Sequence, residues 1–175
     1  PDVFAATTTA AAGSLEMKTA SDSINLNAGQ SFDVTFSVNA ETSGFGGYLT
    51  YDNSVFTSVT VVVDGGTTSG KTDNNGEWKA SYNGYTHFLS VDYYKKDAAG
   101  NTTGQIADPL KVTGSSIATL KFTSAKPVIK TDITFSPSYL RTNGTDVELK
   151  TQKLTLTNSQ AKAVTLSLGI VKGNG

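Results

Sequence analysis

The sequence contains few residues of the types that usually carry out catalysis, and histidine and cysteine are the scarcest. His87 is the sole histidine and cysteine is absent, which excludes thiol nucleophiles, disulfide bridges and thiolate metal sites. His87 stands in an alternating, strand-like segment, and no Ser is enclosed in a G-x-S-x-G turn. We therefore expect His87 to be an ordinary sheet residue, with partner contact or catalysis as the lesser alternatives.

Carboxylates are the next candidates, because a glycosidase needs only two Asp or Glu across a cleft. Asp92 stands between Val91 and Tyr93, at the parity opposite the apolar residues of its segment. We expect it to be a solvated outward side chain or, as the alternative, a contact to a partner. Residues 73–77 (DNNGE) lack the ligand spacing of a calcium loop and favour a turn, so neither a metal nor a cofactor is expected.

Six aromatic residues fall within one predicted hairpin of eighteen residues, namely Trp78, Tyr82, Tyr85, Phe88, Tyr93 and Tyr94. An exposed planar row of such rings would stack on sugar rings, whereas rings divided between two faces would contribute to a core and to protein contact. Alternation places Trp78 on the same face as Tyr82. We therefore expect Trp78 to be buried.

The elements that must position these residues are strands. The chain has 44 Ser or Thr and 17 Gly among 175 residues, a composition that favours strands and turns over helices. Period-two alternation, clearest at residues 32–38, predicts nine or ten strands and an antiparallel β-sandwich. The predicted strands are 15–18, 32–38, 44–51, 55–63, 77–82, 86–94, 116–122, 132–140, 147–157 and 164–171.

The intervening segments predict turns and loops. Asn83-Gly84 predicts a tight hairpin turn, since both residues tolerate positive φ. Residues 64–76 form a polar loop in this interpretation, and residues 95–114 a long loop. We place a tail or linker at residues 1–13, a single domain at 14–172 and a short tail at 173–175.

Charge and hydropathy exclude several classes of protein. Fourteen Lys or Arg against fifteen Asp or Glu give a net charge of -1, and Arg141 is the sole arginine. Such a surface cannot neutralise a phosphate backbone, so no nucleic-acid partner is expected. The longest aliphatic run is three valines, far short of the ~20 residues of a membrane-spanning helix. Membrane insertion is not expected.

Three ordered segments of the sequence resemble the cohesin modules of bacterial cellulosomal scaffoldins. They are a first strand at residues 32–38, a strand and turn at 49–56, and a later strand at 117–122. The matching residues are Phe32, Val34, Phe36 and Val38, then Leu49, Tyr51, Asp52, Val55 and Phe56, then Ile117, Ala118, Leu120 and Phe122. The resemblance spans about residues 15–157, and the segment 164–171 extends past the usual last strand of the family.

The resemblance to cohesins implies a jelly-roll β-sandwich without catalytic activity that binds a dockerin module, whose own loops hold calcium. It further implies a monomer that is secreted or attached to the cell surface within a larger scaffold protein. The family binds dockerins through one sheet face, built mainly from the strands that match residues 133–141, 44–51, 86–94 and 77–82 here. The matching outward positions here are Gly44, Gly46, Tyr48, Thr50, Lys79, Ser81, Phe88, Ser90, Asp92 and Tyr94.

Two positions of that face depart from the family pattern. Many cohesins have Asn or Asp where this chain has Gly44 and Gly46, which predicts a flatter, more apolar contact around Tyr48.

A β-sandwich carbohydrate-binding module and a structural surface or adhesin module remain the alternatives. Exposed aromatic rings along one face would indicate the carbohydrate-binding module.

Overall fold

The computed structural model describes residues 14–64, 76–143 and 148–161. Within these ranges the chain forms ten strands and no helix, which confirms the all-β prediction. The strands are β1 (Ser14–Lys18), β2 (Ser23–Ile24), β3 (Ser31–Thr50), β4 (Phe56–Val63), β5 (Gly76–Tyr82), β6 (Phe88–Lys96), β7 (Thr102–Ile106), β8 (Leu110–Ser124), β9 (Lys130–Thr142) and β10 (Gln152–Asn158). The predicted tails 1–13 and 173–175, loop residues 65–75 and the predicted strand 164–171 lie outside the described residues.

The long strand β3 connects the two layers of the sandwich. Its first half pairs with β8 and β1, and β8 pairs in turn with β4. Its second half pairs with β6 on one side and β9 on the other, within the order β2-β10-β9-β3-β6-β5. Register shifts between Phe36 and Asn39 and between Thr42 and Gly44 interrupt the ladders at the crossing. Such irregularities let one strand bend from one sheet into the other.

The core lies between the two layers and follows the sequence alternation. Phe36 from the first half of β3 contacts Phe45 from its second half and Phe135 from β9, with ring centroids 5.8 and 4.9 Å apart. Trp78 is buried against Tyr93, as predicted. The described residues are all-β, and their strands pair antiparallel except in the short β2–β10 contact. The buried apolar side chains form one hydrophobic core between the layers. This is the architecture of a jelly-roll β-sandwich.

Three predicted boundaries are wrong. Residues 32–38 and 44–51 belong to one continuous strand, because β3 stays paired with β8 on both sides of its register shifts. Residues 95–114 are not a long loop, since β7 pairs with β6 and β8 begins at Leu110. The strand predicted from 147 begins at Gln152, and Leu149 before it is exposed.

The hairpin between β5 and β6 is confirmed, but its turn differs from the prediction. A five-residue loop, 83–87, joins the strands, and the Asn83 carbonyl accepts the amide of His87 at 2.7 Å. The left-handed residue is His87, with φ of 60°, and not Gly84. His87 thus lies outside the strand, and its ring stacks on Tyr51 at 4.7 Å. The side chain of Asn83 caps the loop by accepting the amides of Tyr85 and Thr86.

Candidate functional site

The strand register brings all ten predicted site residues to one side of the sheet. Across β9, β3, β6 and β5 the first row is Arg141, Gly44, Asp92, Lys79 and the second is Tyr139, Gly46, Ser90, Ser81. A third row pairs Ser136, Tyr48 and Phe88. Directly paired residues project from the same face of a sheet. We call this surface the β9–β3–β6–β5 face.

The parity predicted for β3 is confirmed by burial. Phe45 and Leu49 are buried in the core, whereas Tyr48 is 51% exposed and Thr50 is exposed. The Tyr48 ring meets Phe88 edge-on, with centroids 4.9 Å apart and an interplanar angle of 66°. Tyr48 and Phe88 together form an aromatic ridge on the face, held in place by their shared contact.

Asp92 is not a solvated carboxylate, because two residues of β9 cover it. The Tyr139 hydroxyl donates to Asp92 Oδ2 at 2.9 Å, and Arg141 Nε donates to Oδ1 at 3.2 Å. The Asp92 side chain is consequently only 7% exposed, and the Arg141 side chain 45%. The Arg141 guanidinium carbon also lies 4.6 Å from the centre of the Tyr139 ring. Burial, and then the hydrogen bond to Asp92, raise the pKa of Tyr139, so its hydroxyl remains a donor.

The same cluster explains the two glycines, which do not form the bare surface expected from the sequence. A Cβ on Gly44 would lie 2.0 Å from Asp92 Oδ1, and one on Gly46 would lie 2.4 Å from Tyr139 Cε1. Gly44 also has φ of 152°, a conformation that side chains disfavour. Both glycines are therefore buried beneath Asp92 and Tyr139, and the side chains of β6 and β9 form the surface above them.

The β5 side of the face is polar. Lys79 and Ser81 are exposed, and the Ser81 and Ser90 hydroxyls share a hydrogen bond of 2.9 Å. Tyr94, half-buried, borders a shallow depression of about 400 Å³ with Lys79, Ser81, Thr103 and Gly104. The carboxylate of Glu77, next to Lys79 on the same face, accepts a hydrogen bond from Thr102.

The aromatic rings of the β5–β6 hairpin are divided between the core, the loop and the face. The rings of Trp78 and Tyr93 are buried, Tyr85 lies alone in the loop at 99% exposure, and Tyr48 and Phe88 are not coplanar. No planar aromatic row therefore exists among the described residues. Within the same ranges no three His, Cys, Asp or Glu side chains lie close enough together to hold a metal ion.

Sequence reasoning missed Tyr139 and Arg141, which shape the face as much as the predicted residues do. The resemblance to cohesins places residues 133–141 in the face, but neither it nor the alternation gives the register that brings Tyr139 and Arg141 over Asp92. A usable signal was present in Gly44 and Gly46, two glycines at the same parity of one strand. Such a pair indicates that large side chains from neighbouring strands cross above the backbone.

Comparison with solved structures identifies the fold. No family model matches the chain, and no curated protein matches it. Its structural neighbours are consistently cohesin modules. The cohesin chain of the CaDoc0917–CaCohA2 complex is 18% identical with a TM-score of 0.51, covering 82% of this chain and 100% of that one. The fold is therefore that of cohesin modules, a jelly-roll β-sandwich.

Two further neighbours have lower TM-scores. A type II cohesin domain from the cellulosome of Acetivibrio cellulolyticus is 14% identical, with a TM-score of 0.46, over 83% of this chain and 95% of that one. A type I cohesin–dockerin complex from Clostridium thermocellum contains a chain that is 12% identical, with a TM-score of 0.49, over 82% and 99%.

Proposed function

We propose that the chain is a non-catalytic module that binds a calcium-loaded dockerin and so assembles or anchors a multi-enzyme, polysaccharide-degrading complex. The observation that carries the proposal is the β9–β3–β6–β5 face, where an exposed aromatic ridge lies beside a polar cluster held in place by buried hydrogen bonds. An exposed aromatic anchor beside positioned polar groups is the usual composition of a protein-binding surface.

Two other observations support this function. The fold matches that of the cohesin chain in the CaDoc0917–CaCohA2 complex, and the match covers 100% of that chain and 82% of this one. The sequence resemblance to scaffoldin cohesins spans about residues 15–157, a range that includes the strands of the face, and its matching residues lie at 32–38, 49–56 and 117–122. Together they favour a protein partner, with Gly44, Gly46, Tyr48, Thr50, Lys79, Ser81, Phe88, Ser90, Asp92 and Tyr94 in or directly beneath the contact.

The remaining properties follow from this proposal. Calcium belongs to the dockerin, and the chain itself acts as a monomer without cofactor, nucleic acid or membrane insertion. The module is secreted or held at the cell surface as part of a larger scaffold protein. No helix among the described residues has the length and apolar character to cross a membrane.

Binding assays against two classes of ligand test the proposal. Calorimetry with a panel of recombinant calcium-loaded dockerins should find at least one that binds, and chelation of calcium should abolish that binding. Calcium alone should leave the melting temperature of the isolated chain unchanged, since a ligand of the folded state would raise it. Binding to insoluble polysaccharides with no binding to any dockerin would instead support a carbohydrate-binding module.

A further inference from the structure

The first row of the β9–β3–β6–β5 face ends in a cation on each side. Arg141 and Lys79 are the outer members of the row, and Asp92 lies between them on β6. Because the Asp92 side chain is only 7% exposed, its charge faces Arg141 and not the solvent. The row carries two positive charges and one covered negative charge, so both cations face a partner. The exposed Glu77 carboxylate beside Lys79 is bonded to Thr102 and offsets part of the Lys79 charge, which makes Arg141 the main cation of the row.

Arg141 is held in position and still has donors to offer. Its Nε is bonded to Asp92 and its guanidinium lies over the Tyr139 ring. Its guanidinium also interacts with the Tyr139 hydroxyl, and these two contacts leave most of its five N–H donors for a partner. Among the described residues Lys79 has no ion-pair partner. A guanidinium fixed at Nε presents its terminal N–H groups as a fork that matches the two oxygens of a carboxylate.

The first row, which we call the cationic row because it contains Arg141 and Lys79, lies at a defined distance from the aromatic ridge. Gly44 pairs with Asp92 in the cationic row, and Tyr48 pairs with Phe88 in the ridge. Four strand residues separate the two rows, a distance of about 13 Å at 3.3 Å per residue. The same distance corresponds to roughly two turns of an α-helix. The Ser81–Ser90 hydroxyl pair lies between the two rows.

We infer that the partner of this chain presents an acidic helix to the face. In this arrangement an apolar side chain packs against Tyr48 and Phe88, and a carboxylate about two turns away is bound by Arg141. A second acidic group lies near Lys79. Covering two cations without an anion would cost their hydration energy, so a neutral or basic helix is disfavoured. The inference rests on the proposed function, because it describes the dockerin that the face selects.

Charge variants of the chain test this selection. Against each dockerin of the panel that binds, Arg141→Gln should lower the affinity at least tenfold and Lys79→Gln at least threefold. Glutamine keeps a donor toward Asp92, and thermal unfolding verifies that both variants fold. Lys121→Gln is the matched control, since it removes one charge from an exposed position of β8 in the other layer. It should leave affinity unchanged.

Substitutions in the dockerin test the contact with Arg141 most directly. Replacing the acidic helix residues of that dockerin by their amides should remove most of the loss caused by Arg141→Gln, as expected for two groups in contact. A dockerin that binds the native chain and both variants equally would overturn the inference and leave the proposed function intact.

If no dockerin binds, a designed peptide tests the acidic-helix inference separately from the proposed function. The probe is a helical peptide with one Leu and, two turns away from it, two Glu. Its control is the same peptide with both Glu replaced by Lys. Selective perturbation of the Tyr48 and Arg141 resonances by the Glu peptide would support the acidic-helix inference while the proposed function fails. Equal perturbation by both peptides, or none, would overturn the inference.

Discussion

Tyr48 is the most exposed aromatic side chain of the β9–β3–β6–β5 face, and the proposed function makes it the first contact of a partner. It stands half exposed, braced by Phe88, with Thr50 and Ser136 as its small neighbours. A central aromatic residue in a desolvated patch commonly contributes 2 kcal/mol or more, roughly thirtyfold in affinity. We predict that Tyr48→Ala weakens dockerin binding at least tenfold, measured by calorimetry, with the melting temperature within a few degrees of the native value.

Tyr85→Ala is the matched control for this variant. It removes the same side chain from the 83–87 loop, where the tyrosine is fully exposed. The control should bind dockerin like the native chain. Normal binding by a folded Tyr48→Ala variant would show that the partner contacts a different surface.

Asp92 acts on the face from below, through Tyr139 and Arg141. In Asp92→Ala the Tyr139 hydroxyl loses its acceptor in a half-buried position, and leaving a buried donor unpaired costs about 1–3 kcal/mol. We predict a loss of stability of that order in urea denaturation. The loss of dockerin affinity should be smaller than that of Tyr48→Ala. Unchanged stability would mean that water replaces the carboxylate without cost.

At the scale of the strand, Gly44 fixes how closely β3 approaches β6. An added Cβ would meet both the Asp92 side chain and the Val91 carbonyl oxygen, the latter at 2.8 Å, at a φ that disfavours side chains. We predict that Gly44→Ala destabilises the chain by about 2 kcal/mol or more. Gly84→Ala, where a Cβ meets nothing within 4 Å, should have little effect in the same thermal denaturation. Equal melting temperatures of the two variants would contradict this account of β3.

The end of β3 is joined to the β5–β6 hairpin by a pair of tyrosine hydroxyls. Tyr51 and Tyr82 share a hydrogen bond of 2.6 Å, and burial raises the pKa of both, as it does that of Tyr139. Because the folded state holds these protons more tightly, their stabilising effect is complete below pH ~10 and is lost as the pH rises further. We predict that the free energy of unfolding falls above this pH.

A double variant tests the origin of this alkaline sensitivity. Tyr51→Phe with Tyr82→Phe removes both hydroxyls together, so neither is left unpaired, and the decline in urea-derived stability above pH 10 should become shallower. Tyr85→Phe, which changes an exposed tyrosine, should retain the native decline. An identical decline in all three proteins would assign the effect to groups elsewhere.

For the whole molecule, the sequence predicted the class of fold and the inner and outer faces of the strands. Alternation was sufficient there because burial repeats every two residues, as at Phe45 and Leu49 against Tyr48 and Thr50. It did not show the continuity of β3 or the start of β8, since bulges break the local period while long-range pairing keeps the strand intact. The resemblance to cohesins implied that residues 133–141, 44–51 and 86–94 share a face. It gave no register, so it did not predict that Tyr139 and Arg141 cover Asp92.

We propose that the β9–β3–β6–β5 face is the surface that a dockerin covers. Hydroxyl-radical footprinting of the chain, alone and saturated with a calcium-loaded dockerin, measures this side chain by side chain. We predict that Tyr48, Phe88 and Tyr139 lose reactivity in the complex, while Tyr85 in the 83–87 loop and Val62 on β4 react as before. Undiminished reactivity of Tyr48 together with protection of Val62 or Tyr85 would contradict it.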